Sequence, residues 1–180
     1  MRHPDYYLVI DLEATCSEDN SVPRNEMEII EIGAVIAEAM TYDVIDEFQT
    51  FVRPTRHPRL THFCKDLTTI RQIEVDIAPP FPQAIEDLKQ WLRAYPAALF
   101  CSWGQYDKVQ FERECYYHRV EYPFGKSHRD LKAEFARTQG LRKPVGMTVA
   151  LRSVGMPMRG THHRGIDDAK NIARLLPFIL

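Results

Sequence analysis

The amino-acid sequence predicts an α/β domain built around a mixed five-stranded sheet. Three strand-like runs come first, between residues 6 and 53, and their short connections predict an antiparallel three-strand meander. Helical and strand-like segments then alternate along the remaining chain. This succession is typical of a sheet flanked by helices. A length of 180 residues suits one domain with a substantial core, so we expect a single domain over residues 1–180.

Each predicted element has its own local signal. The strands are apolar or alternating runs that end at polar residues or at proline. The helices carry apolar residues three or four positions apart, and Pro82 suits the first turn of one of them. We expect strands over residues 6–10, 27–39, 47–53, 98–103 and 124–128, and helices over residues 82–96, 105–118, 129–138 and 147–154 and from Gly165 onward.

The first predicted strand is followed at once by two acids, Asp11 and Glu13. Alternate residues of a strand share a face, so these two carboxylates are expected to be neighbours of like charge. Neighbouring carboxylates repel each other, and burial makes such a pair costly unless a cation compensates it. The pair therefore predicts a divalent metal site whose other ligands come from elsewhere in the chain.

Two later segments offer such ligands. Asp107 follows the fourth predicted strand and lies in the first turn of the next helix, where the helix dipole alone also favours an acid. The second segment is His162-His163-Arg164-Gly165-Ile166-Asp167-Asp168, in which a histidine just before the last predicted helix and an aspartate in its first turn can face one point. Asp167 fits the alternative of a helix start that is stabilised by its own acid, and a lone histidine is more often structural than catalytic.

The charges of the chain are distributed unevenly. The net charge of −2 does not by itself indicate a nucleic-acid-binding protein. Residues 1–50, however, hold twelve acids against two arginines, and residues 137–174 hold eight Lys or Arg against two Asp. An acidic half that holds cations and a basic half that holds phosphates would suit a metal-dependent phosphodiesterase, although most single charges are expected to be solvated surface.

Other features exclude several classes of protein. No apolar stretch approaches the length of a membrane span, and the N-terminal segment reaches Asp11 too soon for a signal peptide. The four cysteines are dispersed and form no CxxC pair, so neither a zinc knuckle nor a disulfide framework is indicated. We therefore expect a cytoplasmic protein without membrane contact, whose cysteines mostly pack in the core.

Taken together, the motifs resemble those of the DEDDh exonucleases, which belong to the DnaQ-like superfamily with the RNase H fold. Within that superfamily the chain is most similar to the Eri-type exoribonucleases, the group that includes the 3′ histone-mRNA exonuclease. The pattern His-x-x-x-x-Asp of the family selects His163 and Asp168. The shared segments are Asp11-Leu12-Glu13-Ala14-Thr15-Cys16, Glu28-Ile29-Ile30-Glu31, Phe48-Gln49 through Val52-Arg53-Pro54, Phe63-Cys64 with Leu67-Thr68, Phe81-Pro82-Gln83, and Gly165-Ile166-Asp167-Asp168-Ala169-Lys170-Asn171-Ile172-Ala173-Arg174.

The resemblance implies an RNase H-like fold and a two-metal hydrolytic site. Asp11, Glu13, Asp107 and Asp168 would hold two Mg²⁺ or Mn²⁺ ions, which prefer oxygen ligands, and Asp11 is expected to bridge them. In such a mechanism one ion activates a water and the other stabilises the departing 3′ oxygen. His163 would be the general base, because imidazole titrates near neutral pH.

The resemblance also implies substrate contacts. Phe63 and Trp103 match positions where aromatic side chains stack on the terminal bases, and the alternative is that both are core aromatics. Ala14 and Thr15 match the stretch whose backbone approaches the terminal 3′-OH, and Glu13 is expected to contact the substrate there. Such an end contact favours exonuclease over endonuclease action.

The chain departs from the Eri-type pattern at one position. The animal enzymes place the metal-binding Asp directly after the Trp, whereas Gly104, Gln105 and Tyr106 separate Trp103 from Asp107 here. The Tyr-Asp order resembles the aromatic-Asp pair of the wider DEDDh family, so Asp107 is retained as a ligand. The additional N-terminal nucleic-acid-binding domain of the histone-mRNA enzyme has no counterpart in these 180 residues, and its special substrate is not transferred.

The predicted function is that of a metal-dependent 3′→5′ exonuclease. It would hydrolyse single-stranded or 3′-overhanging nucleic acid, prefer RNA and release nucleoside 5′-monophosphates. Two alternatives stay open. One is a DNA proofreading or repair exonuclease of the same fold, because chemistry at the phosphate does not reveal the sugar. The other is a non-catalytic nucleic-acid-binding module, which the loss of a carboxylate would have favoured. The expected partner is RNA or DNA with a free 3′ end, and the expected state is a monomer.

Overall fold

The structure, a computed structural model, describes residues 4–180 and contains a mixed sheet. The five strands stand in the order β3-β2-β1-β4-β5, so β1 is central. β2 pairs antiparallel with both β1 and β3, whereas β4 runs parallel to β1 and β5 parallel to β4. The predicted α/β class and antiparallel meander are confirmed. The strands are β1 Tyr6–Ala14, β2 Ile29–Glu38, β3 Val44–Phe51, β4 Leu99–Ser102 and β5 His128–Asp130.

Seven α-helices surround this sheet within the described chain. No helix of residues 4–180 is both long and apolar enough to cross a membrane. The four cysteines are free thiols, and three of them are buried. Met1, Arg2 and His3, which belong to the segment considered above as a signal peptide, lie outside the described residues. The helices are α1 His62–Thr68, α2 Gln72–Asp76, α3 Phe81–Leu92, α4 Tyr106–His118, α5 Leu131–Thr138, α6 Met147–Ser153 and α7 Gly165–Ala173.

The structure corrects the predicted extent of the first strand. β1 continues to Ala14, so Asp11 and Glu13 lie inside the strand and not beyond its end. The extension is stabilised by β2, since Asp11 pairs with Gly33 and Glu13 pairs with Glu31. The strand was predicted from an apolar run, which ends at its first polar residue. The backbone hydrogen bonds to β2 do not depend on side-chain polarity, so the strand itself continues.

Two further predictions were wrong in position. The fifth strand lies at His128–Asp130, not at residues 124–128, because Phe124 instead stacks on Phe100 with ring centroids 4.4 Å apart. The following helix begins at Leu131, two residues later than expected, since the Asp130 side chain accepts a hydrogen bond from the Ala133 amide and caps it. Neither α1 nor α2 was predicted.

The sheet has a buried layer on each face, and β1 contributes to both. Tyr7 and Val9 pack with α5, α6 and α7, whereas Leu8 and Ile10 pack with α3 and α4. Each fully buried aliphatic side chain contributes about 1.5–3 kcal/mol relative to exposure. Since alternate residues of a strand share a face, the odd-numbered Asp11 and Glu13 lie on the same face as Tyr7 and Val9, the face that α7 covers.

α7 docks onto the sheet through backbone contact. A Cβ atom on Gly33 of β2 would lie 2.0 Å from the carbonyl carbon of Gly165, and a Cβ atom on Gly165 would lie 2.8 Å from the carbonyl oxygen of Asp11. Neither position therefore has space for a side chain. This close approach brings the first turn of α7 against the centre of β1 and β2.

Candidate active site

Three carboxylates meet where α7 approaches β1. Asp11 and Glu13 of β1 and Asp168 of α7 each offer an oxygen atom, and these atoms lie within 4.8 Å of one another. Glu13 and Asp168 are buried, whereas Asp11 is partly exposed. The structure thus places together two acids that are adjacent in a strand and a third that is far away in the sequence.

Asp107 reaches the same place from α4. Its side chain is buried in the first turn of that helix, and its Oδ1 accepts a hydrogen bond of 3.0 Å from the Leu12 amide between the paired acids. Gly104 adopts a φ of +109°, which few residues other than glycine tolerate, and α4 starts two residues later at Tyr106. The additional residues after Trp103 therefore form a turn that carries Asp107 to the cluster.

The carboxylates strongly affect one another. Burial, followed by the charges of Asp107 and Glu13, raises the pKa of Asp11 well above its ordinary value. Burial and then the charge of Asp168 raise the pKa of Glu13 to about 9, and burial raises the pKa of Asp107 to about 7. Ionising all these groups together is therefore costly unless a cation balances their charge.

The donor set fits a hard divalent cation. All four groups offer carboxylate oxygens, the ligands that Mg²⁺ and Mn²⁺ prefer. Oδ1 of Asp168 is buried and has no hydrogen-bond partner among residues 4–180. A buried unpaired carboxylate oxygen is unfavourable, and a bound cation would satisfy it.

Two histidines flank Asp168 in different ways. Oδ2 of Asp168 lies 2.9 Å from Nδ1 of His162 and accepts a hydrogen bond of 3.0 Å from the backbone amide of His163. The two imidazole rings stack with centroids 3.9 Å apart. Burial, followed by the charge of His162, lowers the pKa of His163. Sequence reasoning selected His163 and treated His162 as a neighbour only, so the contact between His162 and Asp168 was missed.

A buried glutamate behind the cluster was also missed. Glu31 of β2 is fully buried, and its carboxylate accepts hydrogen bonds from the Gly165 amide, the Arg164 guanidinium and the Gln49 side chain. The sequence signal is an acid inside the apolar run of residues 29–36. A lone acid in such a run does not reveal its partners.

The two aromatic candidates differ in exposure. Phe63 lies on α1 and keeps 39% of its surface exposed, so it is available for contact with a base. Trp103 is half-buried, packs 5.8 Å from the ring centroid of Phe135, and donates its indole N–H to the Val145 carbonyl at 3.0 Å. These contacts fit a structural role for Trp103, and base stacking at both residues stays a prediction.

The candidates for 3′-end recognition already have partners within the protein. The Thr15 amide donates to the Glu28 carbonyl at 2.8 Å, and the Thr15 hydroxyl oxygen accepts from the Glu28 amide at 2.9 Å. The Ala14 carbonyl accepts a weak hydrogen bond from the Cys64 thiol at 3.7 Å. Both residues are buried at the end of β1, where these contacts hold the backbone beside Glu13.

A second group of acids has a different character. Glu28, Glu114 and His118 also place ligand atoms within 4.8 Å of one another. Arg56 already supplies a positive charge there, because it pairs with Glu114 and lies 3.6 Å from Glu28. Glu28 in addition accepts three backbone amides from residues 55–57. This cluster therefore anchors a loop and does not need a metal ion.

A mixed sheet of this strand order, with carboxylates on its central strand and on the helices packed against it, defines an RNase H-like exonuclease fold. An exonuclease family model, RNase_T, matches residues 8–176. The chain is 35% identical to human 3′-5′ exoribonuclease 1 over 180 residues, which cover 95% of this chain and 51% of that protein. It is 31% identical to the probable 3′-5′ exonuclease KapD of Bacillus subtilis, covering 96% of this chain and 83% of that protein. The chain belongs to this exonuclease family.

Solved structures agree with this assignment. The nuclease domain of 3′hExo, a DEDDh family member bound to rAMP, superposes with a TM-score of 0.89 at 32% identity, covering 96% of this chain and 90% of that one. The 3′-exonuclease that recognises the 3′ end of the histone mRNA stem-loop also gives 0.89, at 31% identity and with 96% and 62% coverage. The chain spans about half the length of the human exoribonuclease it matches.

Proposed function

We propose that this chain is a metal-dependent 3′→5′ exonuclease that acts on single-stranded or 3′-overhanging RNA and releases nucleoside 5′-monophosphates. The observation that carries the proposal is the cluster of Asp11, Glu13 and Asp168, with its unpaired buried oxygen, directly beside His163. Membership of the exonuclease family supports the same reaction class.

Four carboxylates, those of Asp11, Glu13, Asp107 and Asp168, would hold two Mg²⁺ or Mn²⁺ ions. Bound there, the ions would supply the charge stabilisation that phosphodiester hydrolysis requires. Asp11 lies on the central strand, and the charges of Asp107, Glu13 and Asp168 all act on it, so it would be the candidate to share both ions. Asp107 has one oxygen committed to the Leu12 amide, which fixes the direction of the other.

His163 is the proposed general base. Its backbone amide is fixed to Asp168, so the imidazole stands next to the carboxylate cluster. A neutral imidazole nitrogen can take the proton of the attacking water as the phosphodiester bond breaks. The His162 ring stacks on the His163 ring with centroids 3.9 Å apart.

The preference for RNA and for a free 3′ end rests on the relatives. Two of them are named as a 3′-5′ exoribonuclease and as a nuclease bound to rAMP, and a third recognises an mRNA stem-loop at its 3′ end. The exposed ring of Phe63 is available to stack on a terminal base, which is worth about 1–3 kcal/mol per base. Action as a cytoplasmic monomer completes the proposal.

The first test compares the wild-type chain with Asp11→Asn and His163→Ala. Each variant is incubated with 5′-labelled RNA and DNA oligonucleotides, single-stranded or with a 3′ overhang, in Mg²⁺, Mn²⁺ or EDTA. We expect the wild-type chain to shorten RNA stepwise from the 3′ end, and to do so only when metal is present. Both variants should be slower by at least about 10²-fold.

Other outcomes of that experiment decide between the remaining functions. Faster digestion of DNA than of RNA would favour a DNA exonuclease of the same fold. Binding without any product in either metal would indicate a non-catalytic nucleic-acid-binding module. Variants that digest RNA as fast as the wild type would remove these residues from the mechanism.

A further inference from the structure

A fifth acid, Glu31, lies outside the set proposed to hold metal and closes the N-terminal end of α7. Its Oε2 accepts the Gly165 amide at 3.1 Å and Nε of Arg164 at 3.1 Å. Its Oε1 accepts the Gln49 side-chain amide at 2.6 Å. Every oxygen of this buried carboxylate therefore has a donor, and the donors come from β3 and from the start of α7.

The helix depends on this outside partner. Arg164 occupies the N-cap position of α7, and its side chain makes no hydrogen bond to the amides of the first turn. A carboxylate at the positive end of a helix dipole is favourable, and here Glu31 of strand β2 supplies it. The first residue of the helix, Gly165, is held by that bond and by its contact with Gly33.

The residue just before this anchored pair is His163. Its φ is +63°, a left-handed conformation that costs free energy for a residue with a side chain and needs support from its surroundings. On one side the His163 amide bonds to Asp168, and on the other side the next two residues bond to Glu31. The backbone of the proposed base is therefore held at both ends.

Glu31 also determines where the Arg164 charge lies. The guanidinium bonds to Glu31 and lies 5.3 Å from the ring centroid of Phe51. After Glu31, the acids whose charges act on Arg164 are Glu74 and Asp167, and neither belongs to the set proposed to hold metal. Glu31 itself pairs directly across from Glu13 in the sheet, so the ion pair lies next to the strand that carries that set. A neutral residue of the same shape would not retain the cation in this position.

We infer that Glu31 is a positioning residue for the reaction: through its bonds to Arg164 and Gly165 it holds the His163 imidazole in the orientation that hydrolysis requires. This inference rests on the proposed function.

The test is a double-mutant cycle of Glu31→Gln and His163→Ala. Hydrolysis of single-stranded RNA is assayed at a temperature at which every variant is folded. The glutamine side chain keeps the size of the glutamate and an acceptor for Gly165 but lacks the charge that holds Arg164. We expect E31Q to lower kcat by at least about tenfold while KM stays within about twofold. In the H163A background E31Q should have no further effect, because both changes act on one group.

A matched control separates positioning from stability. Asp46→Asn removes a carboxylate that accepts Trp91 and Tyr95 from α3 and the turn after it, at 2.9 and 2.6 Å. Asp46 pairs with Ile36 of β2. Ile36 lies five residues from Glu31 along the strand, a distance of about 17 Å. We expect D46N to lower the thermal midpoint and to leave kcat unchanged. The ¹H–¹⁵N correlations of the His163 ring should shift in metal-free E31Q and not in metal-free D46N.

Each result has a definite meaning. A kcat of E31Q within about twofold of the wild type, or an equal loss in the H163A background, overturns the inference and leaves the proposed function intact. A wild-type chain that hydrolyses no RNA rejects the proposed function, and the inference with it. If E31Q does not fold, Arg164→Gln replaces it in the same cycle. This variant removes the other member of the ion pair, and Arg164 is only half-buried.

Discussion

At the scale of the residue, the two adjacent histidines have separate tasks although their rings stack. His162 directs Nδ1 to the carboxylate of Asp168, whereas only the backbone amide of His163 bonds to that carboxylate. The His163 imidazole is therefore not engaged with Asp168, and it remains available as a proton acceptor. The contact with His162 instead acts to lower the pKa of the Asp168 carboxyl, against the larger effect of burial, which raises it.

Alanine substitutions should distinguish these tasks. We expect His163→Ala to reduce kcat by about 10²–10⁴-fold, because a general base is lost. His162→Ala removes one hydrogen bond to a carboxylate that keeps a second one, so kcat should fall less than about tenfold. Steady-state kinetics on single-stranded RNA under saturating Mg²⁺ measure both. A larger loss in H162A than in H163A would reverse the assignment of the base.

The metal-ligand candidates were accessible from the sequence, and Glu31 was not. Asp11 and Glu13 are two positions apart in a strand, so local periodicity predicts that they meet, whereas His163 and Asp168 were selected by their match to the family pattern His-x-x-x-x-Asp. Glu31 bonds to side chains and amides 18, 133 and 134 positions away. Separations of that size are created by the topology of the sheet, and no local pattern contains them.

At the scale of the element, the position of α7 depends on two glycines. The backbone of α7 contacts the backbone of β2 at Gly33 and of β1 next to Gly165, without an intervening side chain. The same contact places Asp168 beside Asp11. The packing of α7 and the carboxylate cluster therefore share this interface.

Gly33→Ala tests the interface. Because its Cβ atom would lie 2.0 Å from backbone atoms that cannot rotate away, we expect the free energy of unfolding to fall by about 1–3 kcal/mol or more, together with RNA hydrolysis. Gly125→Ala is the control, since no atom lies within 4 Å of its added Cβ. Urea unfolding followed by circular dichroism measures both. Equal stability of G33A and G125A would show that α7 can move aside.

The two longest helices were predicted from their periodic patterns, whereas two of the short helices were missed. α3 and α4 span 12 and 13 residues, enough for an apolar face to repeat. α1 and α2 have only seven and five residues and were missed, although α6, which also has seven residues, was predicted. α1 is identified instead by its cap, since the Thr61 hydroxyl accepts the Cys64 amide.

At the scale of the whole molecule, the carboxylate cluster links stability to pH. The pKa values of Glu13 and Asp107 are raised to about 9 and about 7, from ordinary values of 4.5 and 3.8, chiefly by burial. The folded state therefore holds more protons than the unfolded state between those limits. Since stability falls with pH wherever the folded state binds more protons, the metal-free protein should lose stability from about pH 4 to about pH 9.

Unfolding measured between pH 5 and pH 9 checks this linkage. In EDTA the free energy of unfolding should decrease as pH rises, at up to about 1.4 kcal/mol per pH unit for each group that titrates. Saturating Mg²⁺ should flatten or reverse the slope, because the metal binds the ionised carboxylates of the folded state. A slope that is the same with and without Mg²⁺ would mean that these acids do not bind it.

The central place of β1 in the sheet has a consequence for motion. β1 pairs with β2 along its whole length and with β4 at residues 7–9, so we expect deuterium to replace its amide hydrogens only when the whole domain unfolds. α1, a seven-residue helix that carries Phe63 at the surface, should exchange by local opening. The acids of β1 would thus belong to a persistent part of the molecule, while Phe63, the proposed aromatic contact for a chain end, would belong to a part that opens and recloses.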